Sequence, residues 1–116
     1  MFIPGARLIP TGITPEGDHV YRVQSLDEWI DGASGYFAQS AFYERAIGNT
    51  VQRFGNVAHV FSAYDSRSAP SDAQPFARGI NSIQLFWDGE RWWGVTIFWD
   101  SERPDNPIPD RYLGDG

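Results

Sequence analysis

The sequence predicts an α+β fold, in which one helix accompanies a sheet of long antiparallel strands. Two observations carry this prediction: a single helical pattern over residues 26–34, and a run of long strand-like segments after it. Tight turns or polar loops separate those segments, as is typical of antiparallel neighbours. A chain of 116 residues is the usual size for one hydrophobic core, so we expect one domain.

Two short strands precede the helix. The first covers residues 6–11, and Pro10 is expected to end it or to place it at a sheet edge. After a turn at 14–18, residues 19–23 alternate in polarity as a strand does.

The helix has a clear beginning. Ser25 is a good N-cap residue and Glu28 follows three positions later, which is the pattern of a capping box. Apolar residues then recur at the three-and-four spacing of one helix face, at Leu26, Trp29, Ile30 and Ala33. The "GASG" segment is expected to end the helix.

Four strands are predicted beyond the helix, at 41–54, 57–66, 76–87 and 91–100. The "FGN" segment at 54–56 is a tight connection, and 65–75 is a polar loop. Residues 1–103 are expected to form the domain. Residues 104–116 contain three prolines and are predicted to be an irregular arm.

The register of the last hairpin decides which side chains share a face. The segment 86–100 holds six aromatic residues, four of them tryptophans. A three-residue loop with Gly89 in the left-handed conformation places odd positions of one strand opposite odd positions of the other. One face of the hairpin is then almost wholly apolar and the other is mixed. A two-residue turn would instead distribute apolar and polar residues over both faces. We therefore predict the three-residue loop. The odd face then holds Gly79, Asn81, Ile83, Leu85, Trp93, Val95, Ile97 and Trp99, and the even face holds Arg78, Ile80, Ser82, Gln84, Phe86, Trp92, Thr96 and Phe98.

The two faces carry different expectations. The odd face is a core or a cavity wall, with Trp93 deep against the helix and Trp99 nearer the opening. The even face is too aromatic for plain solvent and too polar for a deep core, which favours a partner interface. The alternative is that its aromatic residues only cover neighbouring strands. The predicted dimer interface consists of Gln84, Phe86, Trp92 and Phe98.

Three segments in order resemble a known family: "ARLIPTG", "RFGNVAHVFSAY", and "RGINSIQL" followed by "DGERWW". Together they make residues 2–103 similar to the nuclear transport factor 2-like superfamily, in its SnoaL-like branch. The resemblance implies a cone-like half-barrel (the cystatin-like fold), a hydrophobic pocket and a dimer. It also implies a helical hairpin before "ARLIPTG". Either that hairpin is lost, or the sequence is a fragment or has a misplaced start, so no catalytic residue is carried over from that region.

The predicted ligand pocket consists of Tyr64, Asn81, Ile83, Leu85, Trp93, Val95, Ile97 and Trp99. Asn81 is the polar exception on the odd face, where an unpaired amide would cost roughly 1–3 kcal/mol. It therefore either bonds another protein group or orients a ligand. His59 and Tyr64 are weak catalytic candidates, because strand alternation puts them on opposite faces. Glu44 and Asp100 are expected to be solvated or paired with Arg45 and Arg103.

Composition excludes several function classes. The chain has no cysteine and no lysine, which excludes thiol and Schiff-base chemistry. A net charge of −6 disfavours nucleic acid. Without a long apolar run or a leader segment, we expect no membrane contact and a cytoplasmic location. Histidine spacing predicts no metal site, and no cofactor motif is present.

These observations favour a small-molecule-binding or scaffold domain that dimerises through its sheet, with itself and an apolar small molecule as partners. The alternative is a cofactor-independent isomerase, dehydratase or polyketide cyclase that acts on an apolar ring compound, with His59, Tyr64 or Asn81 as polar groups.

Overall fold

The computed structural model describes residues 1–31, 43–67, 74–75 and 77–114. Residues 26–31 are helical and are called α1, and a 3₁₀ turn lies at Asp110–Tyr112. The strands are β1 (Phe2–Ile13), β2 (His19–Tyr21), β3 (Gln24–Ser25), β4 (Tyr43–Phe54), β5 (Val57–Arg67), β6 (Ala77–Trp87) and β7 (Trp92–Ser101).

All seven strands belong to one open sheet in the order β2-β1-β7-β6-β5-β4, with β3 also paired to β1. Strands β4 to β7 form an antiparallel meander, whereas β1 lies parallel to β7. Strand makes up 65% of the structure and helix 9%. The predicted α+β cone with a purely antiparallel sheet is therefore wrong: the fold is mostly β, with a mixed sheet. Local periodicity cannot show that the first strand pairs with the last.

Strand β1 is longer than predicted and changes partners along its length. It pairs with β3 at Arg7 and Leu8, and with β2 at Thr11 to Ile13. Gly5, with φ of 83°, lies in the bulge that separates the two parts of its ladder with β7. Pro10 does not end the strand, since its carbonyl still accepts a hydrogen bond from the amide of Arg22.

The capping box at the start of α1 is confirmed. The Ser25 backbone amide donates to Glu28 Oε1 at 3.1 Å, and the Glu28 amide donates to Ser25 Oγ at 3.1 Å. These bonds satisfy amides that have no partner within the helix, and they fix where the helix leaves β3. The end predicted at residue 34, and with it Ala33, lies outside the described residues.

Far from the turn, odd positions of β6 lie opposite odd positions of β7, as predicted, but the pairing changes close to the turn. Asn81 pairs with Trp99, and Ile83 with Ile97. A bulge at Val95 then shifts the pairing, so that Phe86 lies opposite Trp93 and the loop spans residues 88–91. Each residue from 92 to 94 therefore faces the side opposite to the predicted one. The three-residue loop is wrong, although Gly89 has the expected positive φ of 103°.

The sheet has two faces, which we name by what packs on them. The helix face carries Leu8, Tyr64, Asn81, Ile83, Ile97 and Trp99, and α1 covers part of it through Trp29. The tail face carries His59, Phe61, Ile80, Phe86 and Phe98.

The C-terminal tail, residues 104–114, crosses the middle of the tail face. Ile108 is buried, and its amide donates to Glu102 Oε2 at 3.0 Å. The Tyr112 ring lies 5.5 Å from the Phe61 ring, and the backbone of 112–114 packs directly on Gly48. The arm is irregular, as predicted, but it is packed against the sheet.

Candidate ligand-binding site

Asn81 and Glu44 form the polar centre of the helix face. Asn81 lies on β6 between Ser62 of β5 and Trp99 of β7. Its side chain lies near the carboxyl of Glu44, which comes from the edge strand β4. Glu44 is exposed as a residue, but partial desolvation of its carboxyl raises the pKa, and the Asn81 amide opposes this in part. The site therefore holds a carboxyl group that retains its proton to a higher pH than usual.

Tyr64 lies beside this pair on the same face. It pairs with Gly79, and a β-carbon at position 79 would be only 2.5 Å from the phenol oxygen, so the ring lies flat over the glycine. Burial raises the pKa of Tyr64, a hydrogen bond with Ser101 lowers it, and the charges of Glu44 and Asp100 add to the rise. The phenol is thus a neutral hydrogen-bonding group within electrostatic range of Glu44.

An apolar wall adjoins the polar group. Ile83, Ile97 and Leu8 lie in one row across three neighbouring strands. Trp99, directly beside Asn81, meets the ring of Trp29 edge to face at a centroid distance of 5.3 Å. The arrangement combines a broad apolar surface with a few polar groups at one end, which is the usual character of a small-molecule site.

Gln24 adds a polar group at the other end of this wall. It pairs with Leu8, and its residue is only 8% exposed. Its Oε1 atom is buried and has no hydrogen-bond partner among the described residues. A buried amide oxygen without a partner is costly, by roughly 1–3 kcal/mol, and such atoms in native proteins commonly meet a ligand or water.

Most of the predicted pocket residues come together on the helix face. Tyr64, Asn81, Ile83, Leu85, Ile97 and Trp99 all lie there. Trp93 and Val95 do not. The bulge places Val95 against a groove on the tail face and turns Trp93 to that face, opposite Phe86.

The aromatic residues beside the hairpin loop have structural partners. Trp93 Nε1 donates to Asp88 Oδ2 at 2.7 Å, and the Arg91 guanidinium lies 4.5 Å from the Trp93 ring. Trp92, predicted for the interface, lies instead on the helix face against Trp87, at 5.3 Å. The other three predicted interface residues, Gln84, Phe86 and Phe98, are on the tail face as expected.

Two further residues considered in the sequence analysis, His59 and Asp100, lie where they were predicted. His59 lies on the opposite face from Tyr64, as predicted, and bonds Gln52 Oε1 at 2.7 Å. Asp100 pairs with Arg103 at 2.8 Å, also as predicted.

Glu44 is exposed, in agreement with the expectation of a solvated charge, and it does not pair with Arg45. That arginine points to the other face and binds Asp65 at 3.1 Å. Glu44 and Gln24 were missed as site residues because their role depends on pairings across several strands. The one signal available in the sequence was strand alternation within β4, which places Glu44 and Arg45 on opposite faces of the sheet.

Among the described residues, no three histidine, aspartate or glutamate side chains are grouped as a metal site requires. No helix in that part of the chain is long and apolar enough to cross a membrane. Comparisons with protein-family models, curated proteins and solved structures found no match to this chain. The resemblance to the nuclear transport factor 2-like superfamily thus stays a prediction, and the cone fold that it implied does not apply.

Proposed function

We propose that the helix face binds a small apolar ring compound that carries a hydroxyl or carbonyl group. The neighbouring polar side chains of Asn81 and Glu44, set beside an apolar wall, are the observation that supports this proposal. Asn81 is half-buried and Glu44 is exposed, so both side chains are accessible to a molecule that docks on the apolar wall.

The raised pKa of Glu44 favours a neutral ligand. A carboxyl that holds its proton readily can donate as well as accept a hydrogen bond, whereas an ionised carboxylate only accepts. Tyr64 can also donate and accept. Together with the amide of Asn81, these groups suit an oxygen atom on an otherwise apolar molecule.

Two matched probes test the proposal by calorimetric titration. The first is 2-naphthol, and the second is 2-methylnaphthalene, which has a similar shape and no hydroxyl group. We expect 2-naphthol to bind at least about tenfold more tightly, because a site built to bond a hydroxyl penalises its absence. Asn81→Leu should remove this preference. Gln84→Leu, which removes a similar amide from the opposite face, should keep it. Equal binding of the two probes by the wild-type protein would contradict the proposal.

Proton-transfer catalysis is a second candidate function, favoured by the carboxyl and the phenol on one face. Glu44, when ionised, could take a proton from the carbon next to a ring ketone while Tyr64 donates a hydrogen bond to the carbonyl oxygen. Such a pair would make the protein an isomerase for apolar ring ketones.

Exchange of the α-protons of 2-tetralone in deuterated water tests this second function by NMR. We expect the protein to accelerate exchange over buffer, and Glu44→Gln to abolish the acceleration while 2-naphthol still binds. Exchange at the buffer rate, with intact binding of 2-naphthol, would leave the site as a binding site without this catalysis.

A further inference from the structure

The tail face contains an apolar groove next to the β4–β5 turn. Phe54, Val57 and Phe86 lie side by side on three neighbouring strands. Since neighbouring strands are about 4.8 Å apart, the two phenylalanines stand roughly 10 Å from each other with the smaller valine between them. The resulting groove has a volume of about 580 Å³, and Gln52, His59 and Gln84 extend it.

The groove and its surroundings are unusually exposed for apolar residues. Phe54 is 89% exposed and Val57 65%, while Phe86, Phe98 and Phe61 are 41%, 47% and 36% exposed. A fully accessible aromatic side chain has about 150–250 Å² of surface, so the two phenylalanines of the groove, Phe54 and Phe86, leave on the order of 250 Å² uncovered, to which Val57 adds. One partner in a standard interface contributes about 800 Å², of which a little over half is non-polar. The exposed apolar residues of the groove would therefore supply more than half of the non-polar area on one side of a dimer interface.

The charge distribution favours a second copy of this chain as the occupant. The protein has a net charge of −6, so most approaches between two copies bring acidic surfaces together. The groove, in contrast, has no aspartate or glutamate among its described lining residues and includes one arginine, Arg53. Two copies can meet at this surface without like-charge repulsion.

We propose that two copies of this chain form a two-fold dimer through the groove, with Phe54 of each copy placed over the partner's Val57. The shape supports a self-complementary contact, because Phe54 projects from the rim of the same groove that would receive a ring. In a two-fold arrangement each copy places its Phe54 in the groove of the other copy, so the same contact forms twice. The dimer is independent of the proposed ligand site, which lies on the opposite face of the sheet.

Sedimentation equilibrium tests the association. We expect a mass of twice 13.1 kDa at tens of micromolar protein. Phe54→Glu and Phe86→Glu should each raise the dissociation constant at least about tenfold, as charges in the centre of an interface do. Phe54 is almost fully exposed, so its replacement should leave the fold intact. Tyr21→Glu is the matched control, because Tyr21 is an aromatic residue 73% exposed on the far edge strand β2.

Cross-linking tests the geometry, and the absence of native cysteine makes it specific. Oxidising a mixture of Phe54→Cys and Val57→Cys chains should produce a covalent mixed dimer, whereas a mixture of Tyr21→Cys and Val57→Cys chains should not. A wild-type protein that stays monomeric at several hundred micromolar would overturn the proposal. So would a dimer that Tyr21→Glu dissociates and Phe54→Glu does not.

Discussion

Trp29 and Trp99 meet edge to face, with ring centroids 5.3 Å apart and ring planes at 81°. The contact joins the start of α1 to the centre of the sheet, because Trp99 lies on β7 between β1 and β6. Edge-to-face geometry brings the positive ring edge to the negative ring face, which adds to the gain from burial. The helix is thereby held against the sheet beside Asn81.

This contact predicts different costs for two tryptophan replacements. Trp99→Ala removes the anchor of α1 and should lower the free energy of unfolding by about 3 kcal/mol. Trp93→Ala removes a residue whose contacts are mainly with the 88–91 loop, and it should cost about 1 kcal/mol. Urea denaturation followed by circular dichroism measures both. A larger loss for Trp93→Ala would contradict the register described here.

The raised pKa of Glu44 predicts a pH-dependent gain from its neutral analogue. A carboxyl whose pKa is raised by folding keeps its proton in the folded state after the unfolded chain has lost it, so stability falls as pH rises through that range. The Glu44→Gln variant should therefore be more stable than the wild type above about pH 4.5, which is the ordinary pKa of a glutamate, and equally stable below that pH. Thermal unfolding from pH 3.5 to 8 measures this, with Glu90→Gln in the exposed loop as the control. A constant difference at all pH values would show that Glu44 is not the titrating group.

Asp65 predicts the opposite pH dependence. Burial by itself raises its pKa, but the hydrogen bonds from Arg45 at 3.1 Å and Arg67 at 3.2 Å outweigh burial, and the pKa is lowered. Its contribution to stability is thus present at neutral pH and is lost as the pH falls below about 3.8.

Asp65→Asn tests this ion pair. Asp65 is only 3% exposed, so the replacement should cost about 2–4 kcal/mol at pH 7 and progressively less in acid. Asp105→Asn is the control, since Asp105 is 83% exposed and only 3.9 Å from Arg103, and it should change nothing measurable. Urea denaturation at pH 7 and pH 3 distinguishes the two outcomes, and an equal cost at both values would count against the ion pair.

Gly48 predicts how the C-terminal tail is held. A β-carbon at this position would collide with the backbone at Tyr112, Leu113 and Gly114, so Gly48→Ala should displace the end of the tail. Overpacking of this kind typically costs about 1–3 kcal/mol. Trypsin cleaves after arginine, and the bond after Arg111 should become more sensitive to it. Gly12→Ala is the matched control, because its added carbon would make only an ordinary 3.9 Å contact with Val20. Equal cleavage rates in the two variants would show that the tail does not depend on Gly48.

The local elements were predictable because local interactions define them. The Ser25–Glu28 capping box is a contact across three residues, and it placed the start of α1 correctly. Strand alternation placed Asn81, Ile83, Ile97 and Trp99 on one face, and it placed His59 opposite Tyr64. Each of these conclusions needs only the period of a strand or the first turn of a helix.

The bulge that sets the faces of Trp92 and Trp93 lies beside a contact distant in sequence. The backbone amide of Gly94 donates to the carbonyl of Met1 at 2.7 Å, and the Phe2 ring fills the space where a side chain at position 94 would lie. The N-terminus thus docks beside the bulge at Val95, which reverses the faces of residues 92 to 94. Alternation within the hairpin cannot reveal a partner more than ninety residues away.

The sequence by itself therefore determined the strand boundaries that local patterns define, the beginning of the helix and the face of Asn81. The tertiary structure decided that β1 runs parallel to β7, that the tail crosses one face, and that Glu44 meets Asn81. The reason is that alternation and capping act between near neighbours, whereas strand order and the approach of a β4 side chain to a β6 side chain depend on which distant segments pack together. Those pairings settle the overall fold and bring the polar groups of the proposed site into contact.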